Sequence, residues 1–128
     1  IEHCAGKVPI LGICLGHQAI AEYLGSDLEN LEKVHHGVKS NINFTSHETQ
    51  LFKGLSEPIQ VGRYHSWAID NSKSNEAISI TAVDADQCVM AMENKEQKLY
   101  GLQFHPESIL TPEGPRMIEN FLNIIEQQ

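Results

Sequence analysis

The chain has 128 residues, a hydrophobic share of 41% and a formal charge of −8, values that suit one globular domain burying about two-thirds of its unfolded surface. The negative balance argues against a nucleic-acid binder, because no basic patch is present to neutralise phosphates, and no run approaches the ~18 apolar residues of a membrane span. Cys4, Cys14 and Cys88 form neither a disulfide framework nor a CxxC zinc pair; with no signal peptide at the start, a reducing, cytoplasmic setting is expected.

Taken in chain order, Ile1 to Lys7 reads as the last turn of a helix stopped by Gly6. Val8 to Ile13 reads as a short strand buried on both faces, which needs neighbours on both sides, so a further N-terminal segment is expected. In Gly12-Ile13-Cys14-Leu15-Gly16-His17-Gln18 a cysteine then sits between two glycines, and Gln18 to Leu24 has helical spacing. A Gly-x-Cys-x-Gly turn between strand and helix is the cysteine counterpart of the nucleophile elbow. Its glycines admit a cramped backbone, and free N–H groups at the helix start are expected to favour the thiolate.

Gly25 ends this helix. Val34 to Phe44 alternates as a half-buried strand or bent hairpin interrupted at His36-Gly37. Thr45-Ser46 is expected to cap a short helical turn through Leu51-Phe52, closed by Gly54. Ile59 to Val61 is strand-like and leads into Arg63-Tyr64-His65-Ser66-Trp67. Ile78 to Ala82 alternates cleanly, and Val89 to Met92 with Leu99 to Phe104 flank the polar run Glu93 to Lys98 as a β-hairpin. Met117, Ile118, Phe121, Leu122 and Ile125 recur at helical spacing after Pro115, a residue suited to a first turn. The pattern is α/β, with a parallel part near the cysteine turn and an antiparallel part later.

A nucleophilic thiol needs a base, and the base needs an orienting group. Among seven histidines, His105 in Gln103-Phe104-His105-Pro106-Glu107 stands just past an apolar strand, at the end where α/β active sites form. Pro106 biases His105 towards an extended conformation, and residues two apart in extended chain point the same way, so Glu107 can reach the ring. Cys14, His105 and Glu107 thus make a Cys-His-Glu set. Alone, Cys14 fits a small buried hydrophobe, and His105 a strand-end packing residue; together with the glycines and Glu107 they favour catalysis. Cys4 and Cys88 lack such a setting, and His35-His36 has no second ligand pair for a metal. His17 reads as helix-start packing, His36-Gly37 as a loop near the site or a partner surface, and Ser108 and Thr111 as turn formers. His3 and His47 carry no claim.

The cysteine turn together with Gln103-Phe104-His105-Pro106-Glu107-Ser108 resembles the class I (triad) glutamine amidotransferases. His36-Gly37-Val38-Lys39-Ser40, Tyr64-His65-Ser66-Trp67 and Glu107-Ser108-Ile109-Leu110-Thr111-Pro112-Glu113-Gly114 are closest to one branch, the glutaminase subunits of anthranilate synthase and aminodeoxychorismate synthase. The likeness runs through nearly all of the chain, in family order. It implies an open mixed sheet flanked by helices, lacking the N-terminal strand or strands of the family. It also implies that Cys14 attacks the side-chain amide of L-glutamine, forming a γ-glutamyl thioester, with His105 as acid and base and Glu107 orienting it. The Leu15 N–H would donate to the oxyanion, and Gln18 with the backbone of Ser66 and Trp67 would hold the glutamine α-groups. Ammonia would pass to a chorismate-using synthase subunit serving tryptophan or folate formation. Neither cofactor nor metal is implied.

Two other readings stand beside this one. Another triad amidotransferase feeding nucleotide or carbamoyl phosphate synthesis, or a cysteine hydrolase of related fold, is weakened by the Ser108-Ile109-Leu110-Thr111 tail. A non-catalytic binding subunit, or an inert fragment that has kept the fold, is opposed by the intact Cys14, His105 and Glu107. The family's Gly/Pro-rich loop, source of the other oxyanion donor, does not occur in these 128 residues, and losing one such donor costs about 2.7–4 kcal/mol of transition-state stabilisation. This 128-residue chain alone is therefore expected to be weakly active or inactive. An assay of glutamate release checks this, and turnover matching a full-length relative would contradict it.

Overall fold

The computed structural model describes residues 1–46 and 48–127; His47 and Gln128 lie outside the described residues, as does the His47 position within the expected Thr45–Phe52 turn. Strand β1 (Ile10–Ile13) leads into helix α1 (Leu15–Tyr23), followed by β2 (Leu28–Phe44), a 3₁₀ turn (Gln50–Phe52) and β3 (Ile59–Ile69). Strands β4 (Ser79–Val83), β5 (Val89–Asn94) and β6 (Leu99–Leu102) precede helix α2 (Gly114–Glu126). Together the strands make one six-stranded mixed sheet in the order β1-β6-β5-β4-β2-β3. β1 runs parallel to β6, and the other neighbours pair antiparallel. The expected α/β class and the expected split between parallel and antiparallel parts are both present. Among the described residues no helix is long and apolar enough to cross a membrane.

Alternation along the strands feeds two cores, one on each face. Met90 and Tyr100 join Leu51, Phe52, Val61, Met117 and Ile124 beneath α2 and the 3₁₀ turn. Leu99 turns the other way, onto Ile20 and Ala21 of α1, and so does Met92, two residues from Met90, because irregular pairing with β4 between Ala91 and Val89 breaks the alternation of β5. Pro115 stands in the first turn of α2, where its missing N–H costs no helical hydrogen bond.

Several boundaries differ from the sequence pattern, each for a physical reason. β1 starts at Ile10 and is half-buried, not fully covered, because among the described residues it pairs on one side, with β6. Helix α1 begins three residues before Gln18, because the Gln18 N–H already donates to the Cys14 carbonyl at 3.1 Å. β2 reaches back to Leu28, and irregular pairing between Asn30 and His35 breaks the period-2 pattern that would have marked its start. The 3₁₀ turn is capped by Thr49, whose hydroxyl accepts from the Leu51 N–H; the Thr45 N–H is instead held by the Thr81 carbonyl. β6 stops at Leu102, and Gln103 to Phe104 bend away while the Gln103 N–H still donates to Met90.

The sheet curls enough to return its last strand to its beginning. Gly62 of β3 accepts from the His105 N–H at 3.1 Å, and its own N–H donates to the Thr111 hydroxyl at 2.9 Å. Thr111, buried and more than a turn former, donates in turn to the His105 carbonyl at 2.7 Å.

The two glycines of the cysteine turn do different work. A Cβ on Gly12 would lie 2.5 Å from the Gly16 carbonyl carbon and 2.7 Å from Ile20, whereas one on Gly16 would meet nothing within 4 Å among the described residues. The expectation that both glycines serve a cramped backbone therefore holds for Gly12 alone: Gly16 is the helical backbone that crowds it. Gly12→Ala should lower stability by about 2 kcal/mol or more, through overpacking. Gly16→Ala should be neutral or stabilising by up to about 1 kcal/mol, as alanine is the better helix former. Urea unfolding of the two variants checks the ordering.

Candidate functional site

Cys14 caps α1 with φ 53° and ψ −100°, a region that L-residues rarely occupy and that costs about 1–3 kcal/mol. The strained turn lifts the side chain off the end of β1 into a pocket of about 460 Å³. Its lining includes Cys14, Leu15, Gln18, Ser66, Trp67 and His105, so six of the seven sequence-nominated site residues converge on one cavity. Glu107, the seventh, stands behind His105 with its side chain largely exposed. Its carboxylate oxygens lie 3.0 and 3.2 Å from His105 Nδ1. That contact is not made through extended chain, as the spacing suggests. Pro106 and Glu107 lie in a turn closed by the Ser108 N–H on the His105 carbonyl at 3.1 Å, which folds the carboxylate back onto the ring. Tyr64 packs edge-on against His105, with ring centroids 5.1 Å apart, and also stands edge-on to the His36 ring.

Chain direction accounts for the convergence. In the parallel ladder Ile13 stands opposite Leu102, and the Cys14 N–H donates to the Leu102 carbonyl at 2.8 Å. The residues following both strands therefore emerge at the same carboxyl edge. β3 supplies the facing wall. Its pairing with β2 breaks between Asn30↔Trp67 and His35↔His65, so Ser66 lies outside the regular register.

The thiol departs from the sequence expectation. Burial pushes the Cys14 pKa up and outweighs the Leu15 N–H, which lowers it; the Glu107 charge adds a smaller upward push. The resting group is a thiol and donates to the Tyr64 carbonyl at 3.8 Å. The helix start does favour the thiolate, but desolvation of the charge is larger. Cys88 is shifted further, up to about 11, by burial and by Asp84.

Sequence reasoning missed a buried polar layer under the pocket. Arg63 and Asp84 form an ion pair at 2.6 Å with both side chains more than nine-tenths covered. Arg63 Nε also donates to His65 Nε2 at 3.0 Å, so that nitrogen must be bare, and Nδ1–H donates to the Trp67 carbonyl at 2.8 Å. Gln18 Nε2 donates to the same carbonyl at 2.9 Å and to Gln103 Oε1 at 3.2 Å. Gln103, fully buried, was overlooked because a glutamine at a strand end carries no spacing signal. His17 is fully buried, as its packing role implies, and among the described residues neither ring nitrogen has a partner in good hydrogen-bond geometry, the Gly101 backbone making a weaker approach; a Cβ on Gly101 would come within 2.5 Å of Nδ1.

Burial lowers the pKa of His17 to about 3 and that of His65 to about 4. Between those values and the ordinary 6.5 the unfolded chain binds protons that the folded chain refuses, so stability present above pH 6.5 is lost as pH falls. The melting temperature should drop by roughly 10 °C or more between pH 7 and pH 4.5. A midpoint that stays level over that range would contradict two neutral buried rings.

Comparison with known proteins agrees with the architecture. The family model for class-I glutamine amidotransferases matches residues 1–125. Anthranilate synthase component 2 of Lactococcus lactis is 45% identical over 128 residues, covering 99% of this chain and 64% of its own. Aminodeoxychorismate synthase component 2 of Klebsiella aerogenes is 42% identical over 123 residues, covering 96% of this chain and 65% of its own. The chain thus spans just under two-thirds of the length of these curated relatives. A solved structure from Thermoplasma acidophilum, named provisionally for GMP synthase, superposes with a TM-score of 0.83 at 31% identity, covering 93% of this chain and 58% of its own.

Proposed function

Because the chain belongs to the class-I glutamine amidotransferase family, we propose that it carries the glutaminase site of an enzyme that hydrolyses L-glutamine. The observation that carries this reading is the shared pocket of Cys14 and His105, with Glu107 bonded to the far side of the imidazole. With its pKa raised, the thiol needs a base to be useful near neutral pH, and His105 is the base the pocket offers.

In the proposed reaction His105 takes the Cys14 proton and Sγ attacks the side-chain amide carbon. The imidazolium, held by Glu107, then gives its proton to the departing nitrogen, releasing ammonia and leaving a γ-glutamyl thioester. Water next gives a proton to His105 while its oxygen attacks the thioester, freeing glutamate and the thiol. The Leu15 N–H, at the first residue of α1 and already bonded to Sγ, is the oxyanion donor of this chain. Gln18 and the Ser66–Trp67 backbone, with Ser66 outside regular pairing, take the glutamine α-ammonium and α-carboxylate. The ammonia is passed to a chorismate-using synthase partner; the names of the Lactococcus and Klebsiella relatives support this reading.

A second reading, ammonia supply for nucleotide amination, is favoured by the Thermoplasma structure but rests on lower identity, 31% against 45%. The intact protein should release glutamate and be labelled at Cys14 by a glutamine-analogue alkylator, with turnover falling at least about 10³-fold in Cys14→Ala. Stimulation by a chorismate-using partner, and not by a nucleotide-aminating one, is the expected result. An intact, folded protein that is neither labelled nor active would remove the glutaminase reading.

A further inference from the structure

Gln18 offers an amide whose two ends look alike in shape but differ in chemistry: one donates and the other accepts. A pocket that must recognise an ammonium needs the oxygen facing it. The neighbours settle which end is which. The Trp67 carbonyl can only accept, so the Gln18 atom 2.9 Å from it is the NH₂ group. The second hydrogen of that group points to Gln103 at 3.2 Å, which requires the Gln103 oxygen there. It follows that the Gln103 NH₂ faces the other way, and it lies 3.8 Å from Cys14 Sγ. Both hydrogens of the Gln18 amide are thereby used, and its oxygen remains as the acceptor at the pocket wall.

Gln103 itself has no freedom to rearrange. Its side chain is fully buried, its N–H is held by the Met90 carbonyl at 2.9 Å, and it follows β6 at the parallel edge beside Cys14. A buried amide with one donor on a nucleophile and its acceptor on a pocket-lining amide joins two parts of the site that are otherwise separate.

We propose that Gln103 is a positioning residue for the glutaminase reaction, fixing the Gln18 amide with its oxygen towards the substrate ammonium while its own NH₂ holds Cys14 Sγ. The inference rests on the glutaminase reading and deepens it. Through its first hydrogen bond Gln103 acts on substrate binding by way of Gln18, and through its second it stabilises the thiolate that attacks.

The two roles separate experimentally in the intact protein. Gln103→Met removes both hydrogen bonds at nearly constant volume. KM for glutamine should rise about tenfold, and the pH midpoint of Cys14 alkylation by iodoacetamide, followed on the Cys14 peptide, should rise by about one unit. In a Gln18→Met background the same substitution should change KM by no more than about twofold, because the group it orients is gone, while the alkylation shift persists. Gln103→Glu keeps an oxygen facing Gln18, so KM should return to within about threefold of wild type, with the midpoint still raised by the carboxylate beside Sγ. Additive KM effects in the double variant, or an unshifted midpoint in folded Gln103→Met, overturn the proposal. Should Gln103→Met not fold, Gln103→Glu decides: a tenfold rise in KM or an unshifted midpoint overturns it. Failure of the glutaminase reading is seen separately, as absent glutamate release by the wild-type protein, and the alkylation midpoint then decides the thiol contact by itself.

Discussion

The Cys14 N–H donates to the Leu102 carbonyl at the end of a four-residue parallel ladder, and this pairing of β1 with β6 is the constraint from which the site follows. Because parallel strands share a direction, the chain leaves both at one edge. The cysteine turn, Gln103 and the His105–Glu107 turn are thus delivered side by side from segments about 90 residues apart. A register slip of one residue would reverse the facing of every following side chain. The close seat of Gly12 against Gly16 and Ile20, and that of Gly101 against His17, make such a slip costly.

The second wall comes from curling, not from chain direction. β3 is last in the sheet order, yet Gly62 is bonded to His105, and Trp67 accepts from Gln18 of α1. This closure places Ser66 and Trp67 opposite Cys14, and Thr111 pins it by bonding both Gly62 and His105. Beneath it the Arg63–Asp84 pair lies largely out of water. Burying such charges is costly unless their remaining hydrogen-bonding groups are satisfied. Asp84 also accepts from the Asp86 and Cys88 N–H groups, and Arg63 donates to Ser40 and His65. The outcome is a rigid, fixed-tautomer His65 that supports the Trp67 carbonyl, and through it Gln18.

Much of the local chemistry was legible in the chain. The cysteine turn, the His105-Pro106-Glu107 run, the β5–β6 hairpin and α2 were all readable because each depends on residues a few positions apart. What misled was equally local: the spacing of His105 and Glu107 suggested an extended segment where a turn makes the contact, and Gly16 looked conformationally required where it has room for a side chain. The long β2 was hidden because its irregular pairing with β3 destroys the alternation by which strands are recognised.

By itself, then, the sequence determined the α/β class and nominated Cys14, His105 and Glu107 as nucleophile, base and orienting acid of the proposed reaction, since turn chemistry and hydrophobic period are properties of neighbouring residues. The tertiary structure alone decided that Cys14 rests as a thiol, that Gln103 links it to Gln18, and that Ser66 and Trp67 face it across one pocket. Desolvation, amide orientation and sheet curl are set by groups some 50 to 90 residues apart in the chain, and no local pattern encodes their distance.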